Sequence, residues 1–215
     1  MSVTRKKGKV VLSYHDALIT YDDVELLEGP YWLNDTIIGF YLEYLEKEKY
    51  ADTNVCFIRP EVTQCLKLSE VGELPAFLDP LEFKEKDLVI MPLNDCEDPN
   101  LPGGSHWSLL AYSKPEKTFY HIDSSAGSNQ QAARALTFKL SQYLDKNSLC
   151  EFKTINSLQQ SNSYDCGVFV LCNIDNIVPH ALRYKTLENV NQIKEFEVSK
   201  KRHDIKSLIK ALAGF

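Results

Sequence analysis

Residues 159–172 read QQSNSYDCGVFVLC, and the interpretation of the whole chain starts from this stretch. A polar segment ends at Asp165, and an almost unbroken apolar run extends from Cys166 to Ile177. The run is longer than a typical strand, so we predict a buried helix that begins at Cys166. The partial positive charge at a helix N-terminus favours a thiolate, which makes Cys166 a candidate nucleophile.

A histidine and a carboxylate lie upstream on two predicted strands. His106 sits in GGSHWSLL (103–110), between a glycine-rich loop and a strand, and Asp123 ends the strand in FYHIDS (119–124). If these strands pair through the turn at 113–117, His106 and Asp123 lie side by side at one end of the sheet. A carboxylate in that position fixes the imidazole tautomer and stabilises the imidazolium.

These three residue types together predict nucleophilic catalysis by a cysteine protease. In this hypothesis Cys166 is the nucleophile, His106 is its base and Asp123 orients the base. Gln160 lies six residues before the thiol on the incoming loop. We expect its side-chain amide to join the backbone N–H of Cys166 in an oxyanion hole.

Each of these residues also has a structural interpretation when it is considered alone. A histidine before a strand, an aspartate at a strand end and a cysteine before a helix are all common without catalysis. His121 is the competing histidine, because it shares a strand face with Asp123. A serine nucleophile at Ser161 or Ser163 lacks the glycine-flanked elbow of hydrolases. A chymotrypsin-like protease has the same residue order, but it is all β, and the predicted helices oppose it.

The predicted elements follow one another in mixed order, without a regular βαβα alternation, which indicates an α+β fold. The predicted strands cover residues 10–14, 17–20, 55–58, 87–93, 107–112, 118–122 and 152–155. The predicted helices cover residues 22–27, 34–50, a segment from Pro60, 130–144, 166–177 and 201–213.

Composition limits the possible functions of the 215-residue chain. The 30 acidic and 24 basic residues give a net charge of -6, which argues against nucleic acid as the main ligand. Residues 1–9 are expected to form a flexible basic tail, and residues 10–215 a single catalytic domain. Neither a signal peptide nor a membrane span is apparent, so we expect a protein of the cytoplasm, the nucleus or both. The sequence shows no clear oligomer interface, so we expect a monomer. The six cysteines form no C-x-x-C pair, and neither a metal nor a cofactor is expected.

Three of these segments resemble the Ulp or sentrin-specific cysteine proteases, which act on ubiquitin-like proteins: GGSHWSLL, FYHIDS and QQSNSYDCGVFVLC. The resemblance implies a papain-like fold with histidine, aspartate and cysteine in that chain order. Ser163 replaces the glycine that is more usual in the family motif. Three further segments are most similar to the deneddylase branch: VVLSYHDALIT (10–20), YWLNDTIIGFYLEYL (31–45) and RPEVTQCLK (59–67).

The resemblance further implies a substrate and the residues that bind it. The substrate is a ubiquitin-like modifier, most similar to that of neddylation, cleaved after its Gly-Gly end in precursors and in conjugates such as cullins. Trp32 and Trp107 would close over the two glycines, and Asp35 would contact basic residues near that tail. Without the resemblance, a hydrophobic staple is the preferred interpretation of Trp32 and core packing that of Trp107.

Three alternatives remain open from the sequence. The chain could be a SUMO- or ubiquitin-specific isopeptidase on the same scaffold, a protein acyltransferase, or a modifier-binding module without catalysis. An acyltransferase usually needs a basic pocket for its acyl-CoA, and the sequence shows no basic cluster near the three motifs.

Overall fold

Seven strands form two sheets in the computed structural model, which describes residues 8–98 and 103–214. The strands are β1 (Val10–Tyr14), β2 (Ala17–Thr20), β3 (Val55–Phe57), β4 (Leu88–Asn94), β5 (Trp107–Ser113), β6 (Thr118–Ile122) and β7 (Glu151–Ile155). The α-helices are α1 (Tyr21–Leu26), α2 (Asp35–Tyr44), α3 (Pro60–Leu68), α4 (Leu74–Leu78), α5 (Gln130–Leu144), α6 (Cys166–Tyr184) and α7 (Glu195–Ala213). A π-helical turn, Leu45–Lys49, extends α2, and short 3₁₀ turns lie at Val71–Glu73 and Phe83–Glu85.

The main sheet has five strands in the order β3-β4-β5-β6-β7. The inner pairs, β4 with β5 and β5 with β6, are antiparallel, and the outer pairs are parallel. β1 and β2 form a separate antiparallel hairpin. This mixture of helices around a mixed sheet confirms the predicted α+β class.

Helices cover both faces of the main sheet, so the core has two layers. Alternate residues of β4 divide between them: Leu88 and Ile90 face one hydrophobic cluster, and Val89 and Met91 face the other. α6 packs against β5 in the first layer, while α3 and α5 pack in the second. β4 to β6 are therefore buried on both sides, which holds their ends in fixed positions.

Two predicted helices have different bounds in the structure. α6 continues past Pro179 to Tyr184, because a proline late in a helix removes only one backbone hydrogen bond. α7 begins at Glu195, six residues before the predicted start at Lys201. Phe196, in its first turn, is 58% exposed. The apolar periodicity is therefore weak where this helix starts.

The register of β5 against β6 differs from the predicted pairing. Ser113 pairs with Thr118, and Leu109 pairs with Ile122. Continued by one step, this register places Asp123 level with Ser108, not with His106. Asp123, Ser108 and His106 still lie on one face of the sheet, because side chains along a strand alternate with a period of two residues.

Two earlier expectations concern the basic N-terminal tail and the lack of a membrane span. Most of the predicted basic tail, Met1–Lys7, and Phe215 lie outside the described residues. The carbonyl of Lys9, within the predicted tail, accepts a hydrogen bond from the backbone N–H of Tyr21 at 3.0 Å. In the part of the chain that the structure describes, no helix has both the length and the apolar character needed to cross a bilayer.

Gly167, the second residue of α6, is required for packing. A Cβ atom at this position would lie 3.0 Å from Cβ of Leu33 and 3.5 Å from the Trp107 ring. The space over this glycine is thus filled by the protein's own side chains.

We expect Gly167→Ala to lower the free energy of unfolding by about 1–3 kcal/mol, because the added methyl group overpacks a buried contact. Gly72→Ala is the matched control, since a Cβ there has no atom within 4 Å. Urea denaturation of both variants measures the difference. Equal stability of the two variants would contradict the packing role of Gly167.

Candidate active site

Asp123 and His106 meet at the end of the main sheet. Nε2 of His106 lies 2.6 Å from Oδ1 of Asp123, and both residues are buried. The carboxylate also accepts the backbone N–H groups of Ser125 at 2.9 Å and Asn129 at 3.0 Å. Burial alone would raise the pKa of Asp123, but these hydrogen bonds outweigh it and lower the pKa. Asp123 is therefore an ionised carboxylate that faces the imidazole.

Cys166 lies on the other side of the same imidazole. Nε2 of His106 is occupied by Asp123, and Cys166 is close enough to the same imidazole to contribute to its raised pKa. Burial lowers the pKa of His106, but the hydrogen bonds to Asp123 and Cys166 raise it more, to about 9. His106 is thus an imidazolium at neutral pH, beside a sulfur at the first residue of α6.

The competing histidine, His121, has a different environment. It is fully buried, and its Nε2 lies 3.0 Å from Oγ of Ser108. Burial is the main cause that lowers its pKa, to about 4. Its Nδ1 has no hydrogen-bond partner among the described residues. His121 is therefore neutral, and the carboxylate of Asp123 is hydrogen-bonded to His106.

A cleft of about 780 Å³ opens beside Cys166 and His106. It runs from these two residues along α3 to Phe77. The acidic residues in its lining are Asp35, Glu61, Glu73 and Asp98, and the described lining residues include neither lysine nor arginine. The cleft therefore has negative charge along its length and is suited to a basic or neutral ligand.

The two tryptophans lie at the thiol end of this cleft. Trp32 is 50% exposed, and its indole N–H donates to the carbonyl of Ser163 at 2.6 Å. Trp107 is half-buried, and its indole N–H donates to the carbonyl of Leu33 at 3.0 Å. Trp107 also packs against the core, whereas Trp32 is too exposed for a simple hydrophobic staple. Asp35, at the start of α2, is exposed at the same end.

Gln160 is fixed in orientation beside the strand end that carries Asp123. Its side-chain oxygen accepts from Oγ of Ser124 at 2.8 Å, and its side-chain nitrogen donates to the carbonyl of Asn162 at 2.7 Å. One hydrogen on that nitrogen remains for another acceptor. The oxyanion role of Gln160 stays a prediction.

Asn129 is a residue of this site that the sequence analysis missed. It is 2% exposed, and its side-chain nitrogen donates to the carbonyl of Leu93 at 3.2 Å and to Oγ of Ser108 at 3.1 Å. The same nitrogen lies 3.4 Å from the carbonyl of His106, while its backbone N–H binds Asp123. Asn129 thus connects the backbone of His106 to the carboxylate of Asp123. Its position just before α5 predicts a helix cap. The sequence gives no sign that it also connects His106 to Asp123.

The loop before His106 is held by a second group of residues that the sequence did not reveal. The Asp95 carboxylate accepts the backbone N–H groups of Ser105 at 2.6 Å and His106 at 3.1 Å. Lys67 of α3 donates to the carbonyls of Asn94 and Cys96, which fastens this segment to the helix. The sequence indicates this arrangement only through the glycine pair before Ser105. Gly104 has φ of +114°, and a Cβ there would overlap the Asn94 side chain.

Comparisons with known proteins agree with this geometry. The family profile described as "Ulp1 protease family, C-terminal catalytic domain" matches residues 31–213. Sentrin-specific protease 8 of Homo sapiens is 39% identical over 208 residues, which cover 95% of this chain and 98% of that protein. NEDD8-specific protease 1 of Arabidopsis thaliana is 36% identical over 163 residues, or 75% of this chain and 72% of that protein.

A solved structure has the same fold. The C-terminal Ulp1 protease domain, in complex with Smt3, the yeast ortholog of SUMO, superposes with a TM-score of 0.72. The match covers 95% of this chain and 88% of that one at 23% identity. This likeness confirms the expected papain-like protease fold.

The two buried histidines should have pKa values on opposite sides of the ordinary value, with His106 above it and His121 below it. By NMR, we expect His106 to titrate near pH 9, while His121 stays neutral above pH 5. Asp123→Asn should lower the pKa of His106, because it removes the charge that stabilises the imidazolium. The folded pKa lies above the ordinary 6.5, so His106 stabilises the fold below pH 6.5 and loses this effect as the pH rises through 9. An unchanged pKa of His106 in Asp123→Asn would contradict the assignment.

Iodoacetamide at neutral pH should modify Cys166 before the other thiols, although Cys166 is only 1% exposed. Burial raises the pKa of both Cys56 and Cys172 to about 12, so these two should not react. Exposed Cys65 is the internal control for an ordinary accessible thiol. His106→Gln should slow labelling of Cys166 about tenfold or more, because the thiolate loses its counter-ion. Mass spectrometry locates the label, and faster reaction at Cys65 in the unaltered protein would argue against an activated thiol.

Proposed function

The chain belongs to the Ulp1 protease family and is a cysteine protease, and from that premise we propose that it acts on the neddylation modifier NEDD8. It cleaves after the C-terminal Gly-Gly of the modifier, both in the precursor and in isopeptide conjugates. The observation that carries this proposal is the placement of His106 beside both the Asp123 carboxylate and the Cys166 thiol, in the lining of a cleft.

The reaction we propose is acyl transfer to water by way of a thioester. The Cys166 thiolate attacks the carbonyl of the terminal glycine, and His106 delivers its proton to the leaving amine. Water, activated by the now neutral His106, then hydrolyses the thioester. Asp123 keeps the ring oriented through both steps, because its carboxylate is itself fixed by two backbone N–H groups.

An oxyanion forms twice in this reaction and needs donors. The backbone N–H of Cys166 lies at the N-terminus of α6, and we assign the second donor to the side-chain amide of Gln160. The hydrogen bond from Ser124 fixes the oxygen of that amide, and its nitrogen keeps one hydrogen beyond the bond to the Asn162 carbonyl. A single donor of this kind typically contributes about 10²–10³ in rate.

We propose that Trp32 and Trp107 form the channel for the two glycines. Both indoles line the cleft at the thiol, and each indole N–H is held by a backbone carbonyl. A side chain on either glycine would have to displace an indole or lose one of these bonds. Asp35 stands at the same end, where its charge complements a basic residue next to the Gly-Gly.

Two observations favour NEDD8 over the other substrates considered. The relatives with 36–39% identity carry the names NEDD8-specific protease 1 and sentrin-specific protease 8, whereas the SUMO protease structure is 23% identical and supports the fold alone. The described part of the cleft has no lysine or arginine to bind the phosphates of an acyl-CoA, which disfavours acyl transfer to a protein.

The remaining expectations extend the same proposal. We propose cullin conjugates as substrates, a monomer as the active form, and the cytoplasm or nucleus as the location. The six cysteines form no disulfide in the described part of the chain, which suits a reducing compartment. Size-exclusion chromatography with light scattering tests the monomer, and imaging of a tagged chain tests the location.

Fluorogenic C-terminal derivatives of NEDD8, SUMO and ubiquitin test the substrate directly. We expect the highest kcat/KM with NEDD8 and no turnover by Cys166→Ala, which should still bind NEDD8. Asp35→Asn should raise KM about three- to tenfold, because a solvated charge pair is lost. Asp52→Asn, at an exposed aspartate that does not line the cleft, is the control. A preference for SUMO or ubiquitin would refute the NEDD8 assignment.

A further inference from the structure

Arg202, in the C-terminal helix α7, uses its whole guanidinium group to join three segments of the chain. Nε and one terminal nitrogen donate to the same oxygen of Asp165, at 3.0 and 2.7 Å. The other terminal nitrogen donates to the carbonyl of Leu26 at 2.7 Å. Further bonds reach the carbonyls of Tyr31 at 2.7 Å and Tyr164 at 3.3 Å. The side chains of Arg202 and Asp165 are only 14% and 18% exposed, so solvent screens this pair weakly.

The partners of Arg202 stand next to the residues of the glycine channel. Tyr31 immediately precedes Trp32, and Asp165 immediately precedes Cys166. Trp32 is also bonded to the carbonyl of Ser163, within the same loop as Asp165. One guanidinium group therefore holds the backbone beside Trp32, one wall of the proposed channel, and the loop that leads to Cys166.

Asp165 transmits this contact further into the loop before the nucleophile. Its second oxygen accepts from the Asn162 side chain at 2.8 Å, and the Asn162 oxygen accepts the backbone N–H of Asp165 at 3.0 Å. The carbonyl of Asn162 in turn accepts from Gln160. Asp165 occupies the N-cap position of α6, yet its side chain makes no capping bond to the helix. Its negative charge is committed to Arg202 and Asn162.

We propose that Arg202 is a positioning residue that sets the width of the glycine channel and neutralises the carboxylate next to Cys166. The first effect acts through the carbonyls of Tyr31 and Tyr164 and needs the planar, forked guanidinium group. The second acts through Asp165 and needs only a positive charge, because an unpaired carboxylate beside the sulfur would disfavour its thiolate. The role of the channel in cleavage rests on the proposed function.

Two substitutions of Arg202 separate these effects. Arg202→Met removes both the fork and the charge, and Arg202→Lys keeps the charge alone. Lys206→Met is the matched control, because Lys206 lies one turn further along α7 and pairs with Glu28 near the surface. Asp165→Asn removes the carboxylate that Arg202 neutralises and leaves its size nearly unchanged.

The first readout is steady-state cleavage of the NEDD8 C-terminal substrate. We expect Arg202→Met to raise KM about tenfold or more with a smaller fall in kcat, since the channel walls bind the tail. Arg202→Lys should keep the raised KM, and Lys206→Met should behave like the unaltered protein. Equal KM values for all four proteins would overturn the channel role.

The second and third readouts need no substrate, so they test the proposal even if NEDD8 is not cleaved. The chain has two tryptophans, and both line the proposed channel. Acrylamide quenching of tryptophan fluorescence therefore reports on the channel. Quenching should rise in Arg202→Met and Arg202→Lys. Iodoacetamide labelling of Cys166 should slow in Arg202→Met, recover in Arg202→Lys, and remain fast in Asp165→Asn.

Stability measurements decide whether the effects are merely structural. Each variant is assayed at a temperature at which circular dichroism shows it to be folded. Should Arg202→Met fail to fold at every temperature, Arg202→Lys and Asp165→Asn carry the test through quenching and labelling. Unchanged quenching in Arg202→Lys, or the same changes in Lys206→Met, would refute the positioning role.

Discussion

An ionised carboxylate buried at the end of a sheet is costly unless it is paired and hydrogen-bonded, and Asp123 meets this condition. It is 5% exposed and accepts three hydrogen bonds, from His106 and from two backbone N–H groups. The turn after β6 and the first residues before α5 must therefore fold back around it. The position of the imidazole, and through it that of the thiol, follows from this requirement.

The two buried histidines show how local contacts decide the charge of a group in one sheet. His106 and His121 are both shielded from water, which alone would keep each of them neutral. His106 gains a carboxylate on one side and a thiol on the other, and its pKa rises to about 9. His121 has only the Ser108 hydroxyl as a hydrogen-bonding partner among the described residues, and its pKa falls to about 4. The reactive charge is thereby confined to the histidine that borders the cleft.

The sequence predicted the parts of the fold and site that depend on local pattern. β1, β2, β6 and α5 have the predicted bounds, and the residues proposed as nucleophile, base and orienting carboxylate are brought together. It did not predict contacts between distant segments. In the sequence, Asn129 resembles an ordinary helix cap, and Arg202 resembles one more cation on an amphipathic helix. The residues next to each of them in the sequence do not indicate its distant contacts. In the observed register of β5 on β6, Asp123 is level with Ser108 and not directly with His106, since the turn length alone does not fix where pairing begins.

The low exposure of Cys166 gives the cleft a second role in selectivity. In the proposed function, the thiol, which is 1% exposed, is reached through the channel between the two indoles, so a tail with bulky residues at its end would have to move them. Selection by exclusion differs from selection by contact, because it acts on every competing chain irrespective of its affinity for the outer surface. The acidic lining farther along the cleft can then distinguish among tails that already end in glycine. Two filters in series allow each one to be weak while their combined discrimination remains large.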